Sequence, residues 1–149
     1  MNFALLKRLR PRASSPPPAS DAHLRLGARG EKLAARYLKR EGYRILARRY
    51  DCPAGEIDLI ASDGRTIVFI EVKTRAESDG PSDPTYGVRS RQQERNARAA
   101  QYFLRQMQIK TRPCRFDIVT VTWRESGKPT VEHFKDAFQL TPSRRGGPL

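Results

Sequence analysis

One stretch of the chain, GEIDLIASDGRTIVFIEVK (residues 55–73), decides the fold. Two apolar segments flank Asp63-Gly64, a dipeptide typical of a two-residue β-hairpin loop. The pattern therefore predicts two antiparallel strands, over residues 56–61 and 66–74. Each of these strands also carries acidic residues among its apolar ones, which an ordinary core hairpin does not need.

The loop fixes how the acids meet. With Asp63-Gly64 as the two loop residues, Asp58 lies opposite Phe69, and Glu56 lies opposite Glu71. Side chains alternate along a strand, so these residues share one face of the sheet. Asp58 and Glu71 are then diagonal neighbours, about 7–8 Å apart between backbones. Two carboxylates at that separation reach a single ion.

Paired carboxylates on a half-buried surface repel each other unless a cation compensates them. Mg²⁺ or Mn²⁺ bound by Asp58 and Glu71 resolves the conflict, because a hard cation prefers oxygen ligands. Lys73 projects beside the same ion, where its ammonium can hold a phosphate or position an attacking water. The alternative is a ladder of ordinary ion pairs, Glu71 with Lys73 and Asp58 with Arg75.

Length and composition limit the class of protein. The 149 residues suit one domain, and 29 Lys and Arg against 16 Asp and Glu give a net charge of +13. Such an excess favours a polyanionic partner, of which nucleic acid is the commonest. No apolar run is long enough to span a membrane. Cys52 and Cys114 are too few for a disulfide scaffold or a cysteine-only zinc site.

The pattern divides the chain into three parts. Residues 1–21 are predicted to be a disordered basic tail rich in Pro and Ser, without a secretory signal, so a cytoplasmic protein is expected. Residues 22–140 form one α/β domain, and residues 141–149 form a flexible tail. The domain is predicted to hold a mixed sheet of about five strands flanked by helices, in the order α-β-β-β-α-β-β. Its elements span residues 24–41, 43–50, 56–61, 66–74, 88–107, 116–123 and 130–134.

The second predicted helix has a basic side. At 100° per residue, four arginines with no acid among them fall within an arc of about 80°, namely Arg91, Arg95, Arg98 and Arg105. Guanidinium groups bind phosphates through paired hydrogen bonds, so the row indicates a surface that follows a nucleic-acid backbone. A solvated helix face remains the alternative.

Several motifs in combination resemble the YraN family of bacterial proteins, over about residues 24–138. The matching segments are Gly30-Glu31 with Ala34, Tyr37 and Leu38, then GYRIL (42–46), GEIDLIA (55–61), VFIEVKTR (68–75) and RFDIV (115–119). This family is grouped with the restriction-endonuclease-like PD-(D/E)xK nucleases and looks similar to archaeal Holliday junction resolvases. The resemblance implies that fold. It also implies Asp58, Glu71 and Lys73 as the D…E-x-K set, with Glu31 as an acid of the first helix that supports the ion.

Two segments depart from the family's pattern. Arg91 stands near the start of the second helix, where a family member usually has Lys. Arg48-Arg49-Tyr50 stands where the family often has Asn-x-Arg. Both departures bear on how nucleic acid is held. Elsewhere, Asp117 is an acid inside an apolar strand and is expected to pair with Arg115 or another arginine, and His133 is expected to be structural.

The sequence leaves three functions open. The first is a Mg²⁺- or Mn²⁺-dependent endonuclease that cuts DNA, including branched DNA. In it Asp58, Glu71 and Glu31 hold the metal, Lys73 serves the phosphate, and Arg75 joins the arginine row in binding nucleic acid. The second is a nucleic-acid-binding module without chemistry, and the third is an accessory protein that docks on nucleoprotein complexes. Cutting both strands of a junction would suggest a homodimer.

Overall fold

The computed structural model describes residues 21–80 and 90–139. Two helices and five strands follow one another there as α1 (Asp21–Arg40), β1 (Arg44–Cys52), β2 (Gly55–Asp63), β3 (Thr66–Ala76), α2 (Ser90–Gln106), β4 (Cys114–Trp123) and β5 (Thr130–Phe138). The expected α/β class and the order α-β-β-β-α-β-β are confirmed. The predicted tails, apart from Asp21, and the predicted start of the second helix at Val88 lie outside the described residues.

The five strands form one sheet in the order β1-β2-β3-β4-β5. β3 and β4 are parallel, whereas the other neighbouring pairs are antiparallel. A parallel pair needs a crossover, and α2 supplies it. Each helix covers one face of the sheet. The α1 face is closed by Ala34, Ala35 and Leu38, and the α2 face by Ala99, Ala100 and Phe103.

The β2–β3 loop lies one residue later than predicted. Asp63 pairs with Thr66, so the loop is Gly64-Arg65 and not Asp63-Gly64. Gly64 has a φ of 58°, whereas the φ of Arg65 is negative. Glycine with positive φ at the first loop position is the pattern of a type II′ turn. Arg112 stabilises this turn through two hydrogen bonds. Its Nε donates to the Arg65 carbonyl at 2.7 Å, and its Nη2 donates to the Gly64 carbonyl at 3.0 Å.

The later loop shifts the hairpin register by two residues. Phe69 pairs with Ile60, and the expectation that it lies opposite Asp58 is wrong. A shift of two leaves side chains on their original faces, because the period of a strand is two residues. Strict alternation fails only near Asp58, where Ile57 and Ile60 both pack in the cluster under α2.

Candidate functional site

Asp58 and Glu71 lie where the β2–β3 ladder ends. The last pair is Leu59 with Ile70, so the two acids are the next residues on their strands. The Val72 backbone N–H donates to Asp58 Oδ2 at 2.8 Å, and the Asp58 and Glu71 carboxyl groups lie within electrostatic reach of each other. The acids are thus direct rather than diagonal neighbours, which brings them closer than the sequence predicts.

α2 contributes two amide side chains to this pair. Gln92 Nε2 donates to Glu71 Oε1 at 2.7 Å, and the buried Asn96 also hydrogen-bonds Glu71. Sequence reasoning missed both residues. The available signal was their i, i+4 spacing, which places two amides on one side of the helix next to the apolar face.

α1 brings Glu31 towards the same place. The helix crosses β3 very closely at Gly30, where any Cβ would collide with the Thr74 side chain. Glu31 follows directly, and its Oε2 lies 3.7 Å from Arg49 Nε on β1. The same Arg49 nitrogen lies 4.0 Å from Glu56 Oε1 on β2. Arg49 is therefore the cation in contact with the two outer acids of the cluster.

Burial raises the pKa of all three carboxyl groups, and neighbouring acids add to the rise at Asp58 and Glu31. Burial raises the pKa of Asp58 well above its usual value, the charge of Glu71 adds to this, and the Val72 N–H opposes it. Burial also raises the pKa of Glu71, against the opposing effects of Lys73 and the amides of α2. The pKa of Glu31 is raised by burial as well, although Arg49 lowers it. Removal from water is thus the main reason why these carboxyl groups favour their protonated forms.

The donor set suits a hard divalent cation. Two buried carboxylates that repel each other gain most from an ion between them, and Mg²⁺ is commonly held by one or two carboxylates plus waters. In the described ranges, 21–80 and 90–139, no three His, Cys, Asp or Glu side chains converge as a ready-made metal-binding group. An ion at this site would therefore be held by Asp58 and Glu71 with water completing its shell.

Lys73 and Arg75 follow Glu71 on β3. Thr74 between them faces α1, because it meets Gly30. By alternation Lys73 and Arg75 project to the other face, the one that Glu71 and Gln92 share. The positive charge of Lys73 lowers the pKa of Glu71, so the two side chains lie within electrostatic reach. Both Lys73 and Arg75 are half-buried.

The arginines predicted on α2 are all exposed, and these are Arg91, Arg95, Arg98 and Arg105. They extend over about 21 Å of helix, at 1.5 Å per residue. The expectation that no acid lies among them is wrong in one place, because Glu94 Oε2 is 3.9 Å from Arg98. Both partners of that pair are about two-thirds exposed, so the pair is weak. Arg95 also adjoins the β1–β2 turn, where it lies against Gly55.

Asp117 forms a separate polar cluster on β4. Its carboxylate accepts from Arg115 Nε at 3.0 Å and from the Asp136 N–H at 2.9 Å, and His133 Nε2 lies 2.7 Å from it. Arg115 also donates to the Tyr43 hydroxyl at 2.7 Å. The expected pairing of Asp117 with Arg115 is confirmed, and His133 is part of the same buried network.

A family model decides the relationship of the chain to known proteins. The model of the uncharacterised protein family UPF0102 matches residues 30–121, which include Glu31, Asp58, Glu71 and the whole of α2. The chain belongs to UPF0102. This is the family that the resemblance to YraN proteins indicated, so that interpretation is confirmed.

Three UPF0102 relatives give the extent of the likeness. The protein of Geotalea uraniireducens is 44% identical over 116 residues, which cover 77% of this chain and 90% of the relative. That of Syntrophus aciditrophicus is 43% identical over 122 residues, 82% of this chain and 94% of the relative. The protein of Chlorobaculum tepidum is 45% identical over 120 residues, which cover 77% of this chain and 92% of the relative. The names of these UPF0102 proteins assign no activity. In the described part of the chain, neither helix has the length and apolar character needed to cross a bilayer.

Proposed function

We propose that this UPF0102 protein is a metal-dependent endonuclease that hydrolyses phosphodiester bonds in DNA, including branched DNA, in the cytoplasm. The observation that carries the proposal is the Asp58–Glu71 pair. Two carboxyl groups are held together at the end of a ladder, and burial raises the pKa of both. Perturbed carboxyl groups of this kind are a feature of active sites.

The chain supplies the parts that such a reaction needs. Asp58 and Glu71 would hold Mg²⁺ or Mn²⁺, and Glu31 would support the ion directly or through water. When bound, the cation polarises the phosphate and lowers the pKa of a coordinated water. Gln92 and Asn96 keep the Glu71 carboxylate oriented, and the Val72 N–H does the same for Asp58.

Lys73 acts on the substrate in this proposal. Its position on the face shared with Glu71 lets the ammonium bind the scissile phosphate and stabilise charge that develops on the phosphoryl oxygens. The basic side of α2, with Arg75 on β3, would hold the flanking phosphates. Gln92 links that side to the acids, because it stands next to Arg91 on α2 and bonds Glu71. A symmetric homodimer would suit a junction substrate, since two strands must then be cut.

The test compares the wild type with Lys73→Ala on linear, flapped and four-way DNA and on structured RNA, in Mn²⁺. We expect the wild type to cut a branched DNA. We expect Lys73→Ala to bind that DNA nearly as well but cut it about a hundredfold more slowly, since one preorganised group in the transition state contributes about 3 kcal/mol. Lys128→Ala is the matched control, because Lys128 is exposed in the β4–β5 connection.

Two results would contradict the proposal. A wild-type protein that binds DNA and cuts nothing favours the alternative of a binding module or an accessory docking protein on the same fold. Equal cutting by wild type and Lys73→Ala points to a contaminating nuclease.

A further inference from the structure

Arg49 is the one residue of the acidic cluster with an unusual backbone. Its φ of 48° lies in the left-handed region, which side chains other than those of Gly, Asn and Asp rarely adopt. Such a conformation is unfavourable for arginine and persists where the surroundings impose it, often at functional sites. The fold therefore holds Arg49 in a strained conformation at the edge of the acidic cluster.

The strand pairing explains how the strain arises. Arg48 pairs with Leu59 and Tyr50 with Ile57, but Arg49 and Asp58 between them form no pair. The ladder is therefore interrupted opposite Asp58, at the point where β2 also leaves β3. A left-handed residue at an interruption redirects its side chain, as in a β-bulge. Here it directs the Arg49 guanidinium onto Glu31 and Glu56.

The contacts that Arg49 makes are loose. Its side chain is 61% exposed, and its Nε lies 3.7 Å from Glu31 and 4.0 Å from Glu56. Glu56 is about half exposed, so its pair with Arg49 contributes little to stability, whereas Glu31 is 23% exposed and its pair is partly shielded from water. Neither distance is that of a hydrogen bond, so these contacts do not fix the guanidinium in one place. Arg115, by contrast, is mostly buried and holds Asp117 at 3.0 Å. The chain therefore places a strained and exposed cation beside the outer acids Glu31 and Glu56.

A phosphate approaching Asp58 and Glu71 meets four negative side chains. Asp58 and Glu71 with a bound divalent ion would carry less net negative charge, so Glu31 and Glu56 would have less need of Arg49 as a counterion. The guanidinium beside them is then available, and its planar donors match two oxygens of one phosphate.

We propose that Arg49 is a phosphate-binding residue of this site, which pairs with Glu31 and Glu56 until nucleic acid arrives and then transfers to a backbone phosphate next to the metal-binding pair. The proposal rests on the proposed function in taking nucleic acid as the ligand and Asp58 with Glu71 as the metal-binding pair. It predicts a role for a residue outside the D…E-x-K set and outside the basic side of α2.

The experiment separates the charge of Arg49 from its backbone. Arg49→Asn removes the cation but suits the left-handed conformation, whereas Arg49→Lys keeps the charge. Lys128→Gln is the control for loss of a positive charge, since Lys128 is exposed in the β4–β5 connection. Binding of a labelled DNA duplex is followed by fluorescence anisotropy in Ca²⁺ at several salt concentrations, with the DNA checked on a gel for integrity.

Arg49→Asn should bind the duplex about tenfold more weakly than the wild type, with a salt slope smaller by about one, the value of one phosphate contact. Arg49→Lys should stay within about threefold, and Lys128→Gln should bind like the wild type. Calorimetry with Mn²⁺ alone should give Arg49→Asn an affinity for the metal that equals or exceeds that of the wild type, because a competing cation has gone.

Three results would overturn the assignment: an unchanged affinity and salt slope in Arg49→Asn, a wild type that binds no DNA, or a loss of Mn²⁺ affinity in Arg49→Asn. The last would make Arg49 a structural support of the acids. Failure of the nuclease proposal is distinguishable, because a wild type that binds and does not cut leaves the Arg49 result intact.

Discussion

Asp58 and Asp117 are acids in the same sheet, and the chain treats them in opposite ways. Burial acts to raise the pKa of Asp117, but hydrogen bonds from His133, Arg115 and the Asp136 N–H outweigh it, and the pKa is lowered. Burial raises the pKa of Asp58 too, and the negative charge of Glu71 raises it further. The hydrogen bond from the Val72 N–H lowers this pKa but does not offset the two effects.

The two strands make the contrast sharper. Asp117 pairs with Ile70 in the β3–β4 ladder, one residue from Glu71, so the two clusters are close along β3. Asp117 has hydrogen-bonding and cationic partners that stabilise its charged form, and it is therefore a structural acid. Asp58 has an acid as its strongest neighbour, and it is therefore a candidate reactive group. Burial alone does not distinguish them, whereas the partners of each carboxylate do.

The largest expected effect comes from removing the compensated acid. Asp117→Ala leaves Arg115 partly buried without its main partner, and breaking a buried pair in this way costs about 3–5 kcal/mol. Urea denaturation should report that loss in the free energy of unfolding. Asp63→Ala, which removes the more exposed partner of Arg115 at 3.1 Å, should cost less than about 1 kcal/mol. Similar losses in both variants would show that Asp117 is not the centre of its network.

The second effect is the response of the other pair to metal. Mn²⁺ at a hundred times its dissociation constant should raise the free energy of unfolding of the wild type by about 2.7 kcal/mol. Asp58→Asn and Glu71→Gln should each lose most of this gain, because each removes a charged oxygen ligand. Glu132→Gln, an exposed acid on β5, serves as the control and should respond like the wild type. An equal gain in all four proteins would place the ion elsewhere.

The smallest effect is a gain in stability without metal. Because the pKa of Asp58 is raised in the fold, its contribution to stability is full below about pH 3.9 and is lost as the pH rises through the native value. Asp58→Asn should therefore be more stable than the wild type at neutral pH, on the order of 1.4 kcal/mol for each unit of raised pKa. The difference should disappear near pH 3.

Chemical denaturation at a series of pH values, in chelator, measures this difference. Asp117 gives the opposite sign, because its lowered pKa makes its contribution disappear as the pH falls below its ordinary value near 3.9. An Asp58→Asn variant that is less stable than the wild type at pH 7 would mean that the carboxylate is compensated after all.

Local pattern was sufficient to predict the hairpin and the acid pair. The alternation of apolar residues identified β2 and β3, and the two-residue period kept Asp58 and Glu71 together despite the wrong loop. The loop was misplaced because Gly64 can take either position of a two-residue loop. It can be the second residue, after Asp63, or the first residue, before Arg65. The Arg112 contacts that accompany the second choice come from 47 residues further on.

The residues that surround the acids could not be found in this way. Gln92 and Asn96 reach Glu71 only because α2 crosses from β3 to β4, and Arg49 reaches Glu31 only through its left-handed backbone. Asp117 shows the same limit, since Arg115 is two residues away and was predicted, whereas His133 comes from the next strand. Partners distant in sequence depend on how whole elements pack, which no local period specifies.

The parallel pairing of β3 with β4 also has a consequence for the order of folding. β1, β2 and β3 form a meander of neighbouring strands, whereas Ile67 must wait for Cys114, 47 residues later, before β4 can join. Loop closure of that length is slow relative to hairpin formation. During synthesis, the acids of β2 and β3 are therefore expected to meet before α2 can supply Gln92 and Asn96. An early chain would hold an acidic pair without its amides, so a divalent ion that binds this pair would act on folding as well as on the finished protein.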